Sequence, residues 1–359
     1  MKQFKYLFFL PVSLVLILLS CGKTAVNVYT SGNWFYNSNS LLGANRTSAV
    51  SFVVGNKAYV GTGYNHTLVA NRLADFFSFD PKLGGALGDW EQIATPPAAF
   101  TPRSNAVAFA IGTNGYVTLG QDINTTFLQD TWQYSTTTNT WSQKANFGSG
   151  DVRATARIDA SAFAIGNYGY VVCGADNLGS TRKDAWKYDP ITDAWISFGS
   201  IPGSKRQGAI TFVHGDSAAY IVTGTDGGVP AIDMIKFVPK NTTAPWSTMK
   251  NITNTSTDSY DDDYTDIFRD HGVGFTLGDS AYITLGSNGS NIKCWGYDFK
   301  NDLWFRKTSF EIRGATTGRS NGLGFTVAGR SYVSTGLSGS GELGDLIEWR
   351  PYELYNAND

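Results

Sequence analysis

The chain has 359 residues, a formal net charge of −2, 42% hydrophobic residues and only 16% charged ones. A near-neutral charge leaves no electrostatic footprint for nucleic acid, and this apolar content excludes a disordered chain. The 40 glycines beside 10 Trp, 18 Tyr and 22 Phe suit a turn-rich all-β protein.

The first element is a targeting segment. Lys2 and Lys5 give a basic start, and Leu7 to Leu19 is an apolar run too short to span a bilayer. It ends in Leu18-Leu19-Ser20-Cys21, which resembles the bacterial lipobox. That resemblance implies a signal peptide over 1–20, lipidation at Cys21 and a short tether over 21–29. Several acyl chains would then be the chain's one attachment to the membrane. Gly22-Lys23-Thr24 carries no acidic retention or export signal, so the expected location is the outer membrane facing the periplasm, with surface display as the alternative. In that oxidising compartment Cys173 and Cys294 could pair, but a bridge needs Cα atoms within about 7 Å. They fall in strand-like runs of non-adjacent repeats, so two buried free thiols are expected.

From residue 30 to residue 352 one unit recurs six times, leaving 353–359 as a tail. Each copy has an arginine followed six residues later by phenylalanine: Arg46/Phe52, Arg103/Phe109, Arg157/Phe163, Arg206/Phe212, Arg269/Phe275 and Arg319/Phe325. A tyrosine follows (Tyr59, Tyr116, Tyr170, Tyr220, Tyr282, Tyr332), and four residues after it a glycine. A fixed period of this size signals a repeat architecture. Repeat three shows the parts. Asp159 to Ile165 reads as a strand, Gly166-Asn167 as a tight turn and Tyr168 to Cys173 as the returning strand. Asp184 to Tyr188 alternates like a half-buried third strand, Asp189 to Asp193 is a turn by composition, and Ala194-Trp195-Ile196 opens a fourth. Four short antiparallel strands per unit make one propeller blade. The last repeat has no fourth-strand tryptophan after Trp349, whereas Trp34 stands ahead of the first repeat where such a tryptophan belongs. The N-terminal strand around Trp34 is therefore expected to complete blade six and close the ring.

The glycine-ended second strand, the aromatic third strand (Trp132-Gln-Tyr134, Trp186-Lys-Tyr188, Trp295-Gly-Tyr297) and the tryptophan-led fourth strand together resemble kelch repeats. The resemblance implies a six-bladed kelch-type β-propeller of the galactose-oxidase-like superfamily. The second strand departs from the usual pattern by ending in one glycine, not two.

The repeat aromatics are expected in the core between stacked sheets, because every blade carries them at the same place. Phe100, Phe127 and Phe147 lie off the pattern on loops and are better candidates for stacking on sugars. Long, variable loops emerge on one face (64–74, 121–129, 175–183, 250–267), and that face is where function is expected. Each repeat arginine stands just ahead of an innermost strand on the same face. Arg46, Arg103, Arg157, Arg206, Arg269 and Arg319 either brace the blades or, with Arg72, Arg153, Arg182 and Arg313, form a positive funnel for an anionic ligand. The acidic stretch Asp258 to Asp266 lacks calcium-loop spacing and reads as a solvated loop or as a lid over the arginines.

The enzyme classes suggested by the resemblance narrow quickly. A copper radical oxidase needs two histidine ligands, and His66, His214 and His271 fall in places that cannot converge on one metal. The sialidase box is absent; Ser135 to Trp141 only mimics it. Periplasmic kelch propellers of the sialic acid mutarotase type combine an arginine-rich funnel with an acid/base carboxylate, and here Asp122, Asp176, Asp226 or Glu342 could serve. The expectation is a monomeric binding or scaffold propeller for an anionic glycan or envelope protein, without cofactor or metal. A sugar isomerase is the alternative.

Overall fold

The computed structural model describes residues 31–314, 318–339 and 341–359; the signal segment, Cys21 and the whole tether lie outside them. The fold is an all-β propeller of six four-stranded antiparallel sheets. Blade 3 comprises Ser161–Ile165, Tyr168–Val172, Asp184–Asp189 and Ala194–Ser200. The other blades repeat this plan. In blade 6 the sheet order places Ser31–Asn37 outside Leu346–Leu354, with Trp34 opposite Trp349. The N-terminal strand thus supplies the missing fourth strand.

Packing follows from the repeated aromatics. Each first-strand phenylalanine lies beside its second-strand tyrosine, as in Phe109–Tyr116 with ring centroids 5.3 Å apart. The phenylalanine also presses on the next blade. A Cβ at Gly169 would come within 2.1 Å of the Phe109 ring, so the bare glycine is what lets the two sheets approach. The repeat tyrosines and phenylalanines are buried, as are Phe100 and Phe147. These last two pack beneath Arg103 and Arg157, 4.5 and 5.1 Å from the guanidinium carbons, and present no sugar platform. Phe127 is half-buried on its loop, bridged to Gln121. Cys173 and Cys294 are buried and free, and burial pushes both thiols up to about 12.

Two circles of backbone hydrogen bonds join the blades. In the first, the glycine ending each second strand donates to the carbonyl of the next blade's repeat arginine, from Gly63 to Arg103 (2.8 Å) around to Gly336 and Arg46 (2.9 Å). Glycine is needed there. At Gly120 (φ +91°) a Cβ would meet the Ser104 carbonyl at 2.6 Å. The second circle lies nearer the axis and builds the site described next.

Candidate ligand site at the channel mouth

The repeat arginines do not line an open funnel. All six are completely buried. Each reaches under its own blade, where one guanidinium nitrogen donates to the carbonyl at the end of the second strand, as Arg103 Nη1 does to Leu119 (3.2 Å). The carbonyl-bearing residues Thr62, Leu119, Cys173, Thr223, Leu285 and Thr335 all have positive φ, from 56° to 66°. That twist is costly for a side-chain-bearing residue, and the arginine's hydrogen bond helps hold it. An aspartate at or just ahead of the start of the third strand completes the latch. Asp75, Asp130, Asp184 and Asp345 each take two nitrogens of their arginine, at 2.5 to 3.0 Å, and Asp233 takes one from Arg206 at 2.5 Å. A bidentate carboxylate neutralises the charge where it stands. The arginines brace the blades, and the positive field expected at the mouth is cancelled beneath it.

Blade 5 breaks the pattern. Lys293 occupies the aspartate position, and Arg269 bonds only carbonyls: those of Ile267, Leu285, Lys293 and Asp266. Burial without an ion pair lowers this arginine to about 10. Asp266, from the acidic insertion, takes over part of the missing carboxylate's work by accepting the Trp295 indole at 2.7 Å. In blades 2 and 3 Asp130 and Asp184 accept the equivalent indole. The insertion is neither a lid over the arginines nor wholly solvated. Asp261 is buried, with one oxygen accepting from the Thr255 and Ser256 amides. Tyr264 is also buried, its hydroxyl accepting from the Trp304 amide.

Two residues after each arginine comes the innermost ring: Ser48, Asn105, Asp159, Gly208, His271 and Asn321. All six have φ between 49° and 62°. Glycine, asparagine, aspartate and histidine are the types that tolerate this conformation best. The twist turns each amide toward its neighbour. Asn105 donates to the Ser48 carbonyl, Asp159 to Asn105, Gly208 to Asp159, His271 to Gly208, Asn321 to His271 and Ser48 to Asn321, at 2.9 to 3.4 Å. The circle closes around the axis, at the loop-rich end where the first strands begin. These six residues and the small residues after them line an axial cavity of 130 Å³.

Its side chains form a connected polar group. Asn105 Nδ2 donates to Asp159 Oδ1 (2.7 Å), and the His271 ring lies 3.4 Å from Asp159 and 3.3 Å from Asp270. The imidazole leans over Gly208, where any Cβ would come within 2.7 Å of it. Burial opposes the imidazolium, but hydrogen bonds to Asp159 and then Asp270 outweigh it and raise His271 to about 10. At neutral pH the mouth therefore holds a fixed cation between two carboxylates, with an amide beside it. This column was missed in the sequence. Aligning the repeats on their arginines would have exposed it as a polar position bearing one aspartate and one histidine.

The other expected residues do not join this group. Arg182 pairs with Asp176, and Arg153 with Asp151 at 2.5 Å. Arg313 lies over Tyr36, and Arg72 over Tyr64 at 4.5 Å. Asp122 and Asp176 cap their own loops through backbone amides. Asp226 accepts from Thr181, and Glu342 is held by His66 at 2.6 Å. His214 stacks on Phe299 at the far end of a first strand. Among the described residues no cluster of His, Cys, Asp and Glu could hold a metal ion.

No protein-family model matches the chain, and no curated protein is detectably similar in sequence. Among solved structures it is similar to one titled "Structure of YjhT", with a TM-score of 0.66 over 85% of this chain and 95% of that one. Identity is 14%, so the likeness shows the fold. The fold is a six-bladed propeller.

Proposed function

We propose that this chain is a lipid-anchored, extracytoplasmic propeller of the kelch type that binds a hydroxyl-rich glycan, or a glycan-bearing envelope partner, at the loop-rich mouth of its channel. The observation that carries this is the convergence of Asn105, Asp159 and His271 on one partly open axial cavity. Amide and carboxylate groups held in a network present directional donors and acceptors to hydroxyls without having to reorganise. The buried arginines serve the scaffold, so an acidic group on the ligand would meet rim cations such as Arg72.

Binding is the reading that the geometry favours: the His271 ring is tied to Asp159 at 3.4 Å and to Asp270 at 3.3 Å, so it holds the polar network in place. A sugar isomerase of the sialic acid mutarotase type is the second reading. It draws support from Asp122, whose charge reaches Arg72 on the rim and whose amide caps fall on one carboxylate oxygen. The test is titration of the full chain in detergent with sialic acid, uronic acids and neutral and sulfated glycans, following anomeric exchange by NMR. Saturable binding without faster exchange supports the binding reading. Accelerated exchange abolished by Asp122→Asn replaces it with the isomerase.

A further inference from the structure

The break in blade 5 leaves a buried arginine without a bonded carboxylate, and a lysine in the aspartate position beside a cavity. Five repeat arginines have a carboxylate partner; Arg269 has carbonyls, and a lysine stands where its aspartate would be. Next to it, on the outer flank of blade 5 toward blade 6, is a cavity of 360 Å³ walled by Lys293, Trp295, Arg306, Lys307 and Thr308. Arg306 lies over the Trp295 ring at 4.9 Å and reaches Asp266 at 3.9 Å. Lys307 is held by the Ser31 hydroxyl (2.7 Å) and the Pro351 carbonyl (3.1 Å). Among the described residues neither Lys293 nor Lys307 has a carboxylate within ion-pair distance. The Thr308 hydroxyl is buried with no partner. Glu311 is the single carboxylate in the wall. Burial lowers Lys307, as expected for a cation short of counter-charge.

We propose that this cavity is an anion site. The oxyanion group of a ligand (sulfate, phosphate or carboxylate) sits against Lys293 and Lys307 and takes a hydrogen bond from Thr308. A lysine ammonium and a hydroxyl donor suit a compact oxyanion, and the charge-assisted contacts are the strong ones. The site is separate from the channel mouth and does not depend on what binds there.

The test is equilibrium dialysis of the full chain in detergent against radiolabelled sulfate, phosphate and glucuronate, each at constant ionic strength. One equivalent of at least one anion should bind, and which of the three binds tightest identifies the source of the group. Lys293→Asp recreates the partner found in five blades; it should weaken that anion about tenfold or more while raising the unfolding midpoint. Lys307→Gln provides a second variant that leaves Arg269 and its carbonyls untouched, and it should weaken the anion too. Circular dichroism checks both folds. Absence of bound anion at millimolar concentration, or equal binding by wild type and both variants, overturns the proposal. Loss of glycan binding at the mouth with anion binding intact would count against the mouth alone.

Discussion

Asp130 shows how a buried arginine is made tolerable. It neutralises Arg103 through two hydrogen bonds of 2.7 and 2.6 Å while its own side chain stays 17% exposed. Removing one member of such a pair leaves an unpaired buried charge, so Asp130→Asn should destabilise the fold by about 3 kcal/mol or more in urea unfolding. His271 makes a second prediction at this scale. Its folded value, about 10, lies above the ordinary 6.5, so its stabilisation is complete below about pH 6.5 and is lost as pH rises through about 10. Urea unfolding of the wild type should weaken across that window, and His271→Gln should flatten the curve. Equal slopes in the two proteins would show that the histidine is not held by Asp159 and Asp270. The arginine column was legible from the repeat, but its burial was not. The carboxylate that decides it stands about 27 residues further on, outside the motif that drew attention. The column Asp75, Asp130, Asp184, Asp233 and Asp345, with Lys293 as its exception, was nevertheless present in the sequence.

At the scale of elements, the strands were readable because the alternation of apolar and polar residues has period two and the turns carry glycine, asparagine and aspartate. The expected second strand, Tyr168 to Cys173, differs from the observed Tyr168–Val172 by one residue. Cys173 leaves the ladder because its φ of 63° turns its carbonyl toward Arg157. The acidic insertion was not readable, since charge density alone suggested solvent. What orders it is tertiary: Asp261 caps two amides, and Tyr264 buries beside Trp295. The closing strand yields the clearest test. Trp34 is 1% exposed, 4.3 Å from Trp349 and 4.8 Å from Phe310 between ring centroids, and it donates to the Thr308 carbonyl. Trp34→Ala should cost about 3–5 kcal/mol of stability. It should also loosen the outer strand enough to expose the Leu346–Leu354 edge, seen as increased light scattering on storage. Unchanged stability would mean the N-terminal strand does not close the ring.

For the molecule as a whole, the repeat does two jobs at two radii. Farther from the axis, buried arginines and glycine amides bind each blade to itself and to the next. Nearer the axis, the same repeat turns six backbone amides into a closed circle and leaves their side chains free to vary. Ser48, Asn105, Gly208 and Asn321 keep that circle neutral, while Asp159 and His271 give one side of it charge. The architecture was legible because it is written six times over; the site was not, because it lies in a column where the copies disagree. We propose that this column, and not the arginines, meets the ligand. Calorimetric titration with a glycan selected on an array tests it most directly, comparing the wild type with the folded double variant Asn105→Ala, His271→Gln. Binding should be lost in the double variant. Undiminished affinity there would contradict it.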